Sequence, residues 1–435
     1  MTARARKRMS TIRKRTWALL GLLPLVAALV VTFVASSASS APSSHGPLGT
    51  GIECTDGPSF SLKTATGYIS QPDGNSVFMW GYKPNLTPPD EAPFQIPGPV
   101  LCVNEGQSVS VTLTNTAISE PVSIVFPGQI GVSASGGCTG LFTKEASSSC
   151  GTVTYTFTAE EPGTYLYESG TKPEKQVQMG LYGVLIVRPA LGASYGYNDP
   201  QTRYSAEYLV LINEVDPDLH HAVELGQPYT ITTRLPRYWH VNGRSFPDII
   251  AANGASWLPT QPYGALVLAK PYDPFTNPLP ILVRYANAGM DNHPFHPHGN
   301  DLRVIARDGR LLRGPGGEDI SFMDFTRTIA SGQTYDLLFR WDDVDPWLTG
   351  NAPEPVTIPN LQNLVFKDDV TWYSGDPRLG CQGELPVGVT SNNLVGEYYF
   401  PWHSHAVFEF TNFDEGFGGL ATVVAILPSE TPEGC

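Results

Sequence analysis

The sequence predicts an all-β chain of sandwich- or barrel-like domains behind an N-terminal export segment. Three observations carry this. Apolar and polar residues alternate at 108–114 (SVSVTLT) and 152–158 (TVTYTFT), the period-two pattern of half-buried strands. The 43 Gly and 39 Pro punctuate many short runs rich in the 19 Phe and 19 Tyr, so connections are frequent and tight. No long amphipathic helical pattern appears.

The first 16 residues hold seven Lys and Arg and no acid, and 17–34 is almost wholly apolar. A small-residue stretch, ASSASSA, follows at 35–41. This is the basic, apolar and small-residue order of a signal peptide, with cleavage expected near 38–41. The apolar run is also long enough to remain as a single N-terminal membrane anchor. No Arg-Arg pair supports a twin-arginine signal. The leader takes seven of the 27 Lys and Arg, so 20 face 41 Asp and Glu in the remainder, a net of −21. That balance excludes a nucleic-acid footprint.

All six cysteines follow the leader, and an even count in an exported chain reads as disulfides. Cys138 and Cys150 close a short Ser/Gly-rich loop; Cys54–Cys102 and Cys381–Cys435 are the remaining expected pairs. No Cys-x-x-Cys spacing points to thiolate zinc.

Segment 42–53 is Ser/Pro/Gly-rich and reads as a tether. Roughly 390 residues remain beyond the leader, too many for one sandwich, so two domains are expected, 54–190 and 191–428. The run YLVLIN at 208–213 reads as a buried strand of the second, and Asp308-Gly309 as a hairpin turn. Segment 342–395 is a Pro/Asp/Asn/Gly-rich insertion, and 429–435 a C-terminal tail. His220 and His221 lie in a polar stretch and are expected at the surface; His240 reads as structural, in an inter-strand turn.

Five of the nine histidines fall in two short runs, HPFHPHG at 293–299 and WHSH at 402–405. Imidazole is the commonest protein ligand for copper and zinc. In an extended strand, residues two apart share a side, so His296 and His298 offer two nitrogens to one place, as do His403 and His405. Such pairs are expected to meet at a metal site. The aromatics around the second run, YYFPW at 398–402 with Phe408, Phe410, Phe413 and Phe417, read either as core or as the wall of a ligand pocket.

These runs resemble two motifs of the multicopper oxidases, His-Pro-x-His-x-His-Gly and His-Cys-His. The resemblance extends to PGP at 97–99 with VNEGQSVSVTLTNT at 103–116, to PGTYLY at 162–167 with GLYG at 180–183, and to WHVNGRSFP at 239–247. It covers roughly residues 55–428 and implies two cupredoxin-like Greek-key domains, with copper at His293, His296, His298, His403 and His405. In the family His298 and His403 would share one copper.

The departures define the expected function. Where the family's first domain supplies histidines, this chain reads IVFPG at 124–128 and YESG at 167–170, with Glu168 at a lost histidine position, read either as a carboxylate donor to the metal or, preferred, as a solvated loop acid. The family's copper-binding Cys is Ser404, and its next histidine is Glu409. A serine hydroxyl is not a soft thiolate ligand, so no blue-copper centre is expected. The resemblance implies an exported copper-binding protein with a reduced histidine site, with or without residual oxidoreductase activity. The alternative is a copper-free binding module of the cell envelope. A homotrimer is compatible with two-domain relatives; a small-molecule or protein partner stays unspecified.

Overall fold

The computed structural model describes residues 51–88, 91–342, 363–365, 371–373, 398–413, 415–416 and 418–427. The leader, most of the tether and of the 342–395 insertion, the Cys381–Cys435 pair, Phe417 and the C-terminal tail lie outside them.

The regular elements among the described residues are almost all strands. Among the described residues, four sheets of four or more strands form two facing pairs around separate cores. In the first half, one sheet runs in the order Cys54–Asp56, Val100–Asn104, Tyr182–Arg188, Gly163–Glu168. The other runs Ser76–Pro84, Ser59–Ser70, Ser108–Thr114, Val153–Thr158, Ser133–Gly136. Sequence neighbours are thus often separated in space, and three pairings are parallel: Ser59–Ser70 with Ser108–Thr114, and Val100–Asn104 with both Cys54–Asp56 and Tyr182–Arg188. The alternation in Ser108–Thr114 does what its period requires. Val109, Val111 and Leu113 are buried and the intervening residues are not.

In the second half, the buried strand Glu207–Val215 lies between Tyr238–Val241 and Ile281–Asn287, followed by Thr334–Phe339 and Leu302–Arg307. The opposing sheet runs Val267–Ala269, Ala421–Ile426, Tyr398–Ser404, His293–Pro297, Arg327–Ile329. A third apolar cluster joins the halves, with Val77, Met79, Ile96, Val184 and Ile186 packed with Leu209, Leu211, Val215 and Tyr238.

Two of the expected disulfides are present. Cys54–Cys102 and Cys138–Cys150 span 48 and 12 residues. On the chain-entropy account these loops contribute about 4 and about 3 kcal/mol. The hairpin at Asp308-Gly309 is also as expected: both residues have positive φ, +51° and +70°, and Arg307 pairs with Arg310 across the turn.

Two expectations are corrected. The polar stretch around 216–224 holds a helix, Pro217–Glu224. Asp216 caps it, accepting from the backbone N–H of Asp218 and Leu219, and proline takes the first turn, where its missing N–H costs nothing. Helix packing then separates two neighbours expected alike. His221 is exposed, whereas His220 is fully buried against the strand Ser76–Pro84. His240 is buried in the strand Tyr238–Val241, just ahead of the positive-φ turn at Asn242 and Gly243.

Candidate metal centre

Strand register builds the site. His293–Pro297 pairs antiparallel with Tyr398–Ser404, which places His296 opposite His403 and Phe295 opposite Ser404. Directly opposed residues share a face, so one face of the ladder collects imidazoles while the other sends Phe295 and Ser404 into the core. His298 follows His296 by two and His405 follows His403 by two, and both return to the imidazole side.

Four rings therefore gather. His296 lies 4.8 Å from His298, 5.7 Å from His403 and 5.1 Å from His405, centroid to centroid. His298 and His403 are 5.2 Å apart, with their Nε2 atoms at 3.2 Å. Phe410 stacks on His403 at 5.1 Å. The first three rings are half-buried and His405 is exposed.

The backbone fixes which nitrogen faces the cluster. His296 Nδ1–H donates to the Phe325 carbonyl at 2.6 Å, with Thr326 Oγ1 at 2.9 Å. His403 Nδ1–H donates to the Ser404 carbonyl at 2.8 Å. A nitrogen that donates to a carbonyl leaves its partner Nε2 as the lone-pair atom, the arrangement that orients metal-binding histidines. Burial first, then the neighbouring His403, His296 and His405 imidazoles, push the His298 pKa down to about 4. Burial lowers that of His403 as well. Both rings are neutral at pH 7.

Two imidazole nitrogens on one ion with bonds of about 2.0 Å in tetrahedral geometry stand about 3.3 Å apart. The His298–His403 separation of 3.2 Å matches that spacing. Among the described residues, however, no three His, Cys, Asp or Glu side chains are arranged as they stand to hold one ion.

His293 is not part of this cluster. It precedes His296 by three residues, so strand alternation turns it to the core face, where it is fully buried. Its Nδ1 lies 3.0 Å from Glu409 Oε2 and its Nε2 3.3 Å from Glu214 Oε2. Burial pushes the pKa down, but the hydrogen bonds to Glu214 and Glu409 outweigh it and raise the pKa to about 9. The ring is an imidazolium between two carboxylates. Ser404 Oγ donates to the same Glu409 oxygen at 2.5 Å, and Met290 N–H donates to Glu214 Oε1 at 2.6 Å. The positions that correspond by resemblance to blue-copper ligands, His293, Ser404 and Glu409, are thus bonded to one another. They do not fit a copper ion: no thiolate is present, and both nitrogens of the one imidazole face carboxylates.

The two histidine-less places of the first half meet. Val125 and Glu168 exchange both backbone hydrogen bonds, at 2.8 and 3.1 Å. Glu168 ends the strand Gly163–Glu168 and is partly buried, and burial raises its carboxyl pKa, so it is not the solvated loop acid expected.

The aromatics around the second histidine run divide. Trp402 is core, and its indole N–H donates to the His298 carbonyl at 3.0 Å. Phe408 and Phe413 line an open recess of about 540 Å³ with Trp239, Arg237 and Asp291. Glu214 had no place in the sequence reading. Its signal was an acid inside an otherwise apolar strand, YLVLINEV, where a buried charge requires a partner.

The multicopper oxidase family model matches residues 94–191. The L-ascorbate oxidase of Brassica rapa subsp. pekinensis is 30% identical over 290 residues, covering 61% of this chain and 47% of that protein. The L-ascorbate oxidase of Cucurbita pepo var. melopepo is 33% identical over 295 residues, covering 62% and 49%. The chain thus spans about half the length of these relatives. Among solved structures, the blue copper oxidase from Nitrosomonas europaea superposes with a TM-score of 0.56 at 18% identity, covering 86% of each chain. The multicopper oxidase mgLAC gives 0.55 at 19% identity, covering 84% and 85%. At these identities the likeness is one of fold.

Proposed function

That the chain belongs to the multicopper oxidase (cupredoxin) superfamily is the premise from which we propose that it is an exported copper-binding protein with a reduced, all-histidine site and no blue-copper centre. His298 and His403 form the core of the site, and His296 and His405 complete it. The observation that carries the reading is the orientation of the rings. The Nδ1–H groups of His296 and His403 are committed to backbone carbonyls, and the Nε2 atoms of His298 and His403 lie 3.2 Å apart.

Copper bound to imidazoles supplies one-electron redox chemistry. The chain's own residues set its surroundings. Phe410 covers one side of His403, the Phe325 and Ser404 carbonyls hold tautomers, and the exposed side of His405 leaves access from solvent. His293 belongs in this reading to the buried charge network and not to the metal. The two disulfides suit an oxidising compartment and support export. Two Greek-key domains meeting near residue 190 complete the proposal.

The test is copper content per chain after reconstitution and dialysis, read with visible and EPR spectra. About one retained, non-blue copper, lost in His298→Ala/His403→Ala, is expected. A wild type that retains none, or a double variant that retains as much, overturns the site.

A further inference from the structure

Eight buried side-chain polar atoms among the described residues have no hydrogen-bond partner within the protein, and five of them belong to four residues around the junction of the two halves. They are His220 Nε2, His240 Nδ1, both amide atoms of Asn213, and the Tyr182 hydroxyl. All four residues are at most 3% exposed. Asn213 and His240 are register partners across neighbouring strands, so their side chains stand side by side on one face. That face carries Leu211, Val215 and Tyr238 into the apolar cluster joining the halves, to which Tyr182 also belongs. His240 Nε2 is taken by the Gln71 carboxamide at 3.0 Å. His220 Nδ1 is taken by the Phe78 carbonyl at 2.6 Å, which makes its Nε2 an acceptor.

Left bare, five such atoms would cost as much as the whole net stability of a domain. Native interiors satisfy groups of this kind with protein, water or an ion. The charge balance separates the last two. Burial pushes the His220 pKa down to about 4 and that of His240 to about 3, so both rings are neutral. No carboxylate is free to answer a cation here. Glu214 turns its carboxylate to the opposite side of its strand, at His293, and Asp216 spends both oxygens on the helix cap, Tyr229 and the Leu235 N–H. A divalent ion would be buried uncompensated. Neutral acceptors and donors, in contrast, suit water, which needs two to four polar partners.

We infer that Asn213 and His240, with His220 beside them, bound a buried site for ordered water between the two halves of the chain. Water there bridges a strand pair of the second half to the first half through groups that no side chain reaches. The site is separate from the histidine cluster, so it stands or falls independently of copper binding.

A high-resolution crystal structure of the full chain, with anomalous data at the copper and zinc edges, tests it. Expected are one or more non-anomalous peaks within hydrogen-bond distance of at least two of the named atoms. Absence of density, or an anomalous peak, overturns the inference. Asn213→Leu gives an independent reading: a lower melting temperature and loss of the peak are expected, whereas a variant more stable than wild type would mean that the site is dry.

Discussion

His293 and Glu409 face each other at 3.0 Å in the core, and Ser404, which stands at the cysteine position of the His-Cys-His motif it resembles, donates to the same Glu409 oxygen. The two substitutions relative to the family motif, Ser404 and Glu409, are therefore one event in physical terms with the retained His293. Loss of the thiolate leaves a hydroxyl, which needs an acceptor when buried. The carboxylate that accepts from it needs a cation, which the remaining histidine becomes.

Removing one member should expose that dependence. Glu409→Gln takes away one of two carboxylates from a buried imidazolium and is expected to cost about 3–5 kcal/mol. Urea unfolding against wild type checks it; a change within experimental error would mean that the ring is neutral.

Stability should fall on both sides of a maximum near pH 6.5. His220 and His240 titrate at about 4 and about 3 in the folded chain, against about 6.5 when unfolded. Below about 6.5 the unfolded chain binds more protons, so stability declines as pH falls towards those values. His293 has the opposite sign. With a folded pKa of about 9, its contribution is complete below about 6.5 and is lost as pH rises through 9, amounting to about 3 kcal/mol. Urea midpoints from pH 4 to 10 on metal-free protein, with His293→Gln flattening only the alkaline limb, give the measurement.

Copper-loaded wild type should lack the intense thiolate-to-copper absorption. Ser404 offers no thiolate, and the described residues hold no free cysteine. Ser404→Cys alone should also fail to produce it, because Glu409 still stands where a second imidazole would be needed. A strong blue band in either protein would contradict the bonding around His293.

The disulfide Cys54–Cys102 joins parallel neighbours at one edge of the first-half sheet. Cys54→Ser/Cys102→Ser is expected to lower stability by about 4 kcal/mol. Thermal unfolding with and without reductant measures this, and the wild type under reductant should approach the variant.

What the sequence made legible was local and periodic. Two His-x-His pairs on extended segments needed only a period of two to share a face, and Asp308-Gly309 needed only its turn chemistry. His293 required more. It lies in the same motif, yet a spacing of three turns it to the other face, and the carboxylates that claim it come from residues 79 and 116 positions away. The helix Pro217–Glu224 carried its signals in Asp216 and Pro217, but its short polar face reads as a loop until a sheet packs against it. The depth of His220 follows from that packing and from nothing within the stretch itself.

The pairing of His296 with His403 makes copper uptake a gauge of how the chain has folded. A slip of one residue between these strands would turn one of the two histidine pairs inward and bring Phe295 or Ser404 to the surface. A misaligned molecule would keep its strand content while losing its metal. The fraction of a refolded sample that takes up copper would then count the molecules whose two strands found the correct alignment, a form of proofreading written into the ladder.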